Sequence, residues 1–86
     1  MDMESFYNIM AEIEGYNAGT TISGKSTSEW MSSIGNFFTT DKSGNPVFDL
    51  SKAKLSLKEL QTALNEAVAA RSKIMSEYNA TKLTLA

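Results

Sequence analysis

The sequence predicts a mainly α protein: an antiparallel pair of N- and C-terminal helices, with a short middle helix and a small β-hairpin packed at the open end. Three observations carry this. From Ser56 onward, Leu57, Leu60, Leu64, Ala67, Arg71, Ile74, Tyr78, Thr81 and Leu85 follow one another at alternating steps of three and four, the seam of a helix laid lengthwise on another helix. Met3, Phe6, Met10 and Ile13 keep the same period near the start of the chain. Between these stretches, two segments rich in β-favouring residues flank Asp41-Lys42-Ser43-Gly44-Asn45, a cluster of turn formers.

The first helix is expected over residues 2–16. Asp2 can cap it, Glu4 suits the positive N-terminal end, and Gly15 with Asn17-Ala18-Gly19 supplies stop signals. Residues 17–25 are polar and read as a loop, with Thr20-Thr21-Ile22 as a short extended piece. Ser26-Thr27-Ser28-Glu29 is a capping-box pattern and opens a short helix over 27–34 that carries Trp30, Met31 and Ile34 and is ended by Gly35. Residues 36–50 form the hairpin. Pro46 lacks an amide donor and belongs at a strand start or on an edge, and two strands alone must lean on the helices through Phe37 or Phe38 and Val47 or Phe48.

The long helix runs to residue 82 from one of two starts. Asp49 can cap a turn through Leu50 and Ala53 that leads straight on, or the capping box Ser56-Leu57-Lys58-Glu59, with Leu55 and Leu60 as a hydrophobic staple, can open it afresh. Val68 and Met75 widen its seam, as do Ala63 and Ala70, and Met10 and Met75 fill gaps between the helices. Arg71 stands where an apolar side chain is wanted. It either sets the register through an ion pair, with Glu12 or Glu14 as neighbours, or snorkels while Ala67 and Ala70 make the contact.

Eighty-six residues make one domain, 1–86, of a size at which a single core is barely sufficient. The chain has no cysteine and no histidine, which removes thiolate metal sites, the usual general base and the commonest metal ligand. No matched acid and base is visible, since Glu12 and Glu14 are two apart on a helix and do not face each other. The expectation is a non-enzyme with no cofactor and no metal. Acids outnumber lysines six to two over residues 1–43, and bases outnumber acids six to four over 44–86, so the halves attract; no patch is basic enough for nucleic acid. No apolar run is long enough to span a membrane, and the start Met-Asp-Met-Glu lacks the basic opening of a signal peptide. Trp30 with Phe37 and Phe38 reads either as an aromatic ligand patch or as the main core anchor. Gly24-Lys25-Ser26 lacks the earlier glycine that a phosphate loop needs.

A first helix of about 16 residues, roughly 24 Å, cannot cover one of about 30, roughly 45 Å. The C-terminal end of the long helix, Tyr78, Thr81, Lys82, Leu83 and Leu85 together with Arg71, is therefore expected to bind a protein partner or a second copy; the alternative is that residues 81–86 are a frayed tail.

The stretch Glu29-Trp30-Met31-Ser32-Ser33-Ile34-Gly35, followed by a glycine-containing turn and Val47-Phe48-Asp49-Leu50, resembles the central excursion of invasin-type tip proteins of bacterial type III secretion systems. Leu64 to Leu83, with Ala70-Arg71-Ser72 and Met75, is similar to the closing helix of their filament-forming relatives. Members of that family are usually longer, with an N-terminal hairpin and a larger central domain that this chain lacks. The resemblance implies a structural or interaction subunit of an exported assembly, a needle-tip or filament protein acting in virulence, secreted or at the cell surface without a cleaved signal. The alternative is a small cytosolic adaptor or secretion chaperone that presents the same seam to a client helix.

Overall fold

The computed structural model describes residues 2–85, and of residues 80–85 the backbone alone. The order of elements is α1 (Met3–Tyr16), β1 (Thr21–Ile22), β2 (Lys25–Ser26), α2 (Thr27–Gly35), β3 (Phe38–Thr40), β4 (Pro46–Phe48), α3 (Leu50–Ala53) and α4 (Leu57–Leu85). The architecture is mainly helical, with the expected short middle helix, long C-terminal helix and hairpin.

Asp2 caps α1 by accepting a hydrogen bond from the Glu4 amide (3.1 Å) and another from the Ser5 hydroxyl (2.7 Å). The Ser5 hydroxyl bond, helped by backbone amides, holds the Asp2 carboxyl below its ordinary pKa. The helix runs through Gly15 and stops at Asn17, whose amide reaches the Ile13 carbonyl (2.8 Å). The segment expected to be a loop is itself a tight hairpin, the first of two, with Thr21 opposite Ser26 and Ile22 opposite Lys25. Ser23 and Gly24 both adopt positive φ, 50° and 78°, as a two-residue turn between right-twisting strands requires. Two-residue strands are too short to show the alternation by which a strand is read. Glu66 of α4 holds the turn in place, accepting from both the Ser23 amide (3.0 Å) and its hydroxyl (2.9 Å).

Ser26 then caps α2 by accepting from the Glu29 amide (3.1 Å). The chain doubles back here. Phe6 stacks on Trp30 with centroids 5.3 Å apart, while Glu14, near the other end of α1, accepts from the hydroxyl of the buried Thr27. Thus α1 and α2 are the antiparallel pair. In contrast, Glu12 meets Arg71 and Tyr16 meets Tyr78, so contacts between α1 and α4 advance in the same direction along both. This corrects the expected antiparallel sense of the first and last helices. The short α2 already makes the return leg, and a third helical segment following it must run as the first does.

The second hairpin pairs Phe38 with Phe48, Thr39 with Val47 and Thr40 with Pro46, placing the proline at the start of its strand. Asp41 shapes the turn, accepting from the amides of Ser43 (2.9 Å) and Asn45 (2.8 Å). Phe37 is buried and Phe38 meets Phe48 edge to face, so the sheet leans on the helices through its aromatic base. The tip residues 41–45 are exposed. Inserting a short glycine-serine segment after Ser43 should leave helicity unchanged by circular dichroism, since little buried backbone is disturbed there. Loss of that signal would show the tip to be packed.

Of the two expected starts the long helix takes the one at Ser56, and Asp49 opens a separate short helix instead of leading straight on. Asp49 caps α3 by accepting from the Ser51 amide and hydroxyl, and the hydroxyl bond comes first in holding its carboxyl below the ordinary value. Lys54 breaks the helix in the left-handed region, and Ser56 with Glu59 then forms a complete capping box, each side chain bonded to the other's amide at 3.1 Å.

The core comprises Met3, Phe6, Ile9, Met10 and Ile13 of α1, Ile22, Trp30, Ile34, Phe37, Ala53, and Leu60, Ala63 and Ala67 of α4. Trp30 is the anchor expected of it: 3% exposed, with its indole N–H donating to the Ile22 carbonyl (2.7 Å) and the Lys25 ammonium 4.6 Å from its ring centroid. No helix among the described residues is long and apolar enough to cross a membrane.

Candidate interaction surface on the long helix

The surface is built by helical geometry. Successive residues of α4 turn by about 100°, so Leu60, Ala63, Ala67, Ala70 and Ile74 fall on one side. The first three are fully buried against the rest of the molecule, and the last two are half-buried. Beside them runs a second line, Leu57, Leu64, Val68 and Met75, spread over only about 40° of the helix circumference. Leu64 is half-buried; Leu57 (55%), Val68 and Met75 are exposed. Leu57 thus lies outside the buried seam, and Val68 and Met75 do not widen it. Met10 fills the core as expected, whereas Met75 fills no gap.

The reason is the width of the cover. A stripe read from sequence spans every apolar position, but α1 and the first hairpin lie over only part of the circumference, and beneath them the small side chains Ala63 and Ala67 are fully buried.

Arg71 sits at the boundary between the two lines. It is half-exposed and its guanidinium lies 3.4 Å from the Glu12 carboxylate, the neighbour anticipated for it. A pair this open to water contributes only a fraction of a kcal/mol, about 0.2 to 1. The packing is made by Ala67, fully buried one turn earlier. Tyr78 follows, 52% exposed, with its ring 5.2 Å from that of Tyr16. These two rings close the top of α1; a shallow depression of about 250 Å³ lies between them and Asn17, Ile74 and Glu77. Of the residues expected to bind a partner, Arg71 and Tyr78 therefore lie side by side along the α1 edge of α4. The side chains of Thr81, Lys82, Leu83 and Leu85 lie outside the described residues, although the helix backbone continues through them to Leu85.

A second concavity, of about 290 Å³, lies between the first hairpin and the start of α4, lined by Ser23, Lys25, Trp30, Leu55, Lys58, Glu59 and Thr62. The sequence reading missed it, since it joins residues far apart in the chain and rests on a turn taken for loop. Most of its polar groups have structural duties. Ser23 holds Glu66, Glu59 closes the capping box, the Thr62 hydroxyl donates to the Lys58 carbonyl (2.9 Å) and Lys25 lies over the indole. Trp30 and Phe37 are core residues and Phe38 belongs to the hairpin, so the three do not form a ligand patch. Among the described residues no group of three or more carboxylates stands where it could hold a metal ion.

Comparison with protein-family models, with curated proteins and with solved structures finds no match to this chain.

Proposed function

We propose that this chain is a structural or interaction subunit that works by packing α4 lengthwise against another helix, within an exported bacterial assembly of the type III secretion tip or filament kind. One observation carries the reading: α1 ends opposite Tyr78, while α4 runs on to Leu85, about two turns further. The apolar line of Leu57, Leu64, Val68 and Met75, at steps of seven, four and seven, keeps to one face of the helix and leads toward that overhang. The exported assembly comes from the resemblance of Glu29 to Gly35 and Val47 to Leu50; the helix-packing mode comes from the geometry of α4.

Deletion of Thr81 to Ala86 tests it. The full chain is expected to gain mass by light scattering between micromolar and near-millimolar concentration, and the shortened chain to stay monomeric with an unchanged melting temperature. Equal assembly by both would make the overhang irrelevant. A second reading, a cytosolic adaptor or secretion chaperone, is favoured by the exposed line being about one helix wide. It predicts constant mass at all concentrations and saturable binding of an amphipathic helical peptide.

A further inference from the structure

The break between α3 and α4 is unusual for the sequence that makes it. Residues 50–60, Leu-Ser-Lys-Ala-Lys-Leu-Ser-Leu-Lys-Glu-Leu, contain neither glycine nor proline. The chain nevertheless turns at Lys54, which holds φ 56° and ψ 24°, a left-handed conformation that strains a side chain with a Cβ. The apolar spacing also ignores the break. Leu50, Ala53, Leu57 and Leu60 step by three, four and three, in phase with Leu64, Ala67, Arg71, Ile74 and Tyr78 beyond. In the bent arrangement Leu50 is 38% exposed, whereas in a continuous helix it stands on the same face as Leu57, Leu64, Val68 and Met75.

We propose that residues 50–85 form a two-state element, in which the bend at Lys54 can straighten to join α3 and α4 into one helix of about 36 residues, roughly 54 Å long. Several contacts hold the bent state. Ser56 and Glu59 cap α4, Leu55 packs against the core, Ala53 is buried, and the Lys52 ammonium donates to the Phe38 carbonyl (3.0 Å). Straightening gives up the Ser56 cap, the burial of Ala53 and Leu55 and the packing of Phe38 and Phe48 against the core. In return it removes the left-handed residue, restores helical hydrogen bonds through residues 54–56 and brings Leu50 onto the line of Leu57, Leu64, Val68 and Met75. The hairpin of β3 and β4, joined directly to α3, moves with it, so straightening lengthens the apolar line of α4 by about two turns at its N-terminal end. The switch is a property of the single chain and does not depend on the assembly reading.

Nuclear magnetic resonance on the full chain tests it. Amides 53–57 of the wild-type chain should show microsecond-to-millisecond exchange by relaxation dispersion. Lys54→Gly, which relieves the strain of the bent state, should quench that exchange. Ser56→Ala, which removes the cap, should move the Cα shifts of Lys54 and Leu55 toward helical values. The chain has no cysteine, so spin labels placed through Ser43→Cys and Ser76→Cys should report a second separation between hairpin and α4 in the Ser56→Ala background. A wild type without exchange at 53–57, together with a Ser56→Ala variant that keeps the left-handed signature at Lys54 and merely melts lower, would overturn the proposal. If Ser56→Ala does not fold, the wild-type and Lys54→Gly pair decides alone: exchange present and quenched supports the switch, exchange absent refutes it.

Discussion

Leu60→Ala should remove most of the stability of the molecule. Leu60 is fully buried and lies in the first full turn of α4, where the capping box fixes the helix against the core. Replacing a buried leucine by alanine costs about 2 to 5 kcal/mol, the lost transfer energy plus the cavity left behind. A chain of this length has a total of roughly 4 to 13 kcal/mol, and the small core places it toward the lower end. Two neighbours in the same leucine series give the control. Leu64→Ala, at a half-buried site, should lower the urea midpoint less, and Leu57→Ala, at an exposed one, should change stability by no more than about 0.5 kcal/mol. The order Leu60, Leu64, Leu57 is the test. A Leu57→Ala or Leu64→Ala variant that melts below Leu60→Ala would mean that a different face of α4 meets the core.

That ordering marks where the sequence stops being informative. Four helix starts were legible because each is local chemistry: Asp2, Ser26, Asp49 and Ser56 all accept from an amide two or three residues on. The hairpin tip was legible for the same reason, with Asp41 and Gly44 shaping the turn over a few residues. The period of α4 was legible too, but not which part of its stripe is covered. A three-and-four repeat says that a helix has an apolar side without saying how wide its cover is, so Val68 and Met75 looked as buried as Ala63 and Ala67. The sense of α1 against α4 depends on how many times the chain reverses between them. That number turned on Ser23 and Gly24, whose hairpin is too short to display alternation, and on α2 serving as a full return leg. The partner surface shares this limit. Glu12 or Glu14 was anticipated beside Arg71 from charge and an antiparallel pairing; Glu12 is the partner, but in helices that run the same way, as the Tyr16–Tyr78 contact also requires.

Trp30→Ala should destabilise the fold as severely as Leu60→Ala, for a different reason. The indole is the point where three elements meet. Its ring packs on Phe6 of α1, its N–H donates to the Ile22 carbonyl at the end of β1, and it stands on α2. Truncating a buried aromatic to alanine costs about 3 to 5 kcal/mol. Trp30→Phe separates the contributions. A phenyl ring keeps much of the apolar contact with Phe6 but loses the indole N–H bond to the Ile22 carbonyl, and a lost hydrogen bond costs about 0.5 to 1.5 kcal/mol. Chemical denaturation of the two variants should therefore give a graded loss, with Trp30→Phe still folded and its first hairpin loosened. Amide hydrogen exchange supplies the local readout. In Trp30→Phe, protection should fall first at Lys25 and Thr27, whose amides lie in or beside that hairpin, before it falls in α1. If Trp30→Phe instead matched the wild type in stability and in hairpin protection, the 2.7 Å bond to Ile22 would not be holding the hairpin. The return of the chain between α1 and α2 would then rest on other contacts, among them Glu14–Thr27, Ser23–Glu66 and the bond from the Thr27 amide to the Thr20 carbonyl.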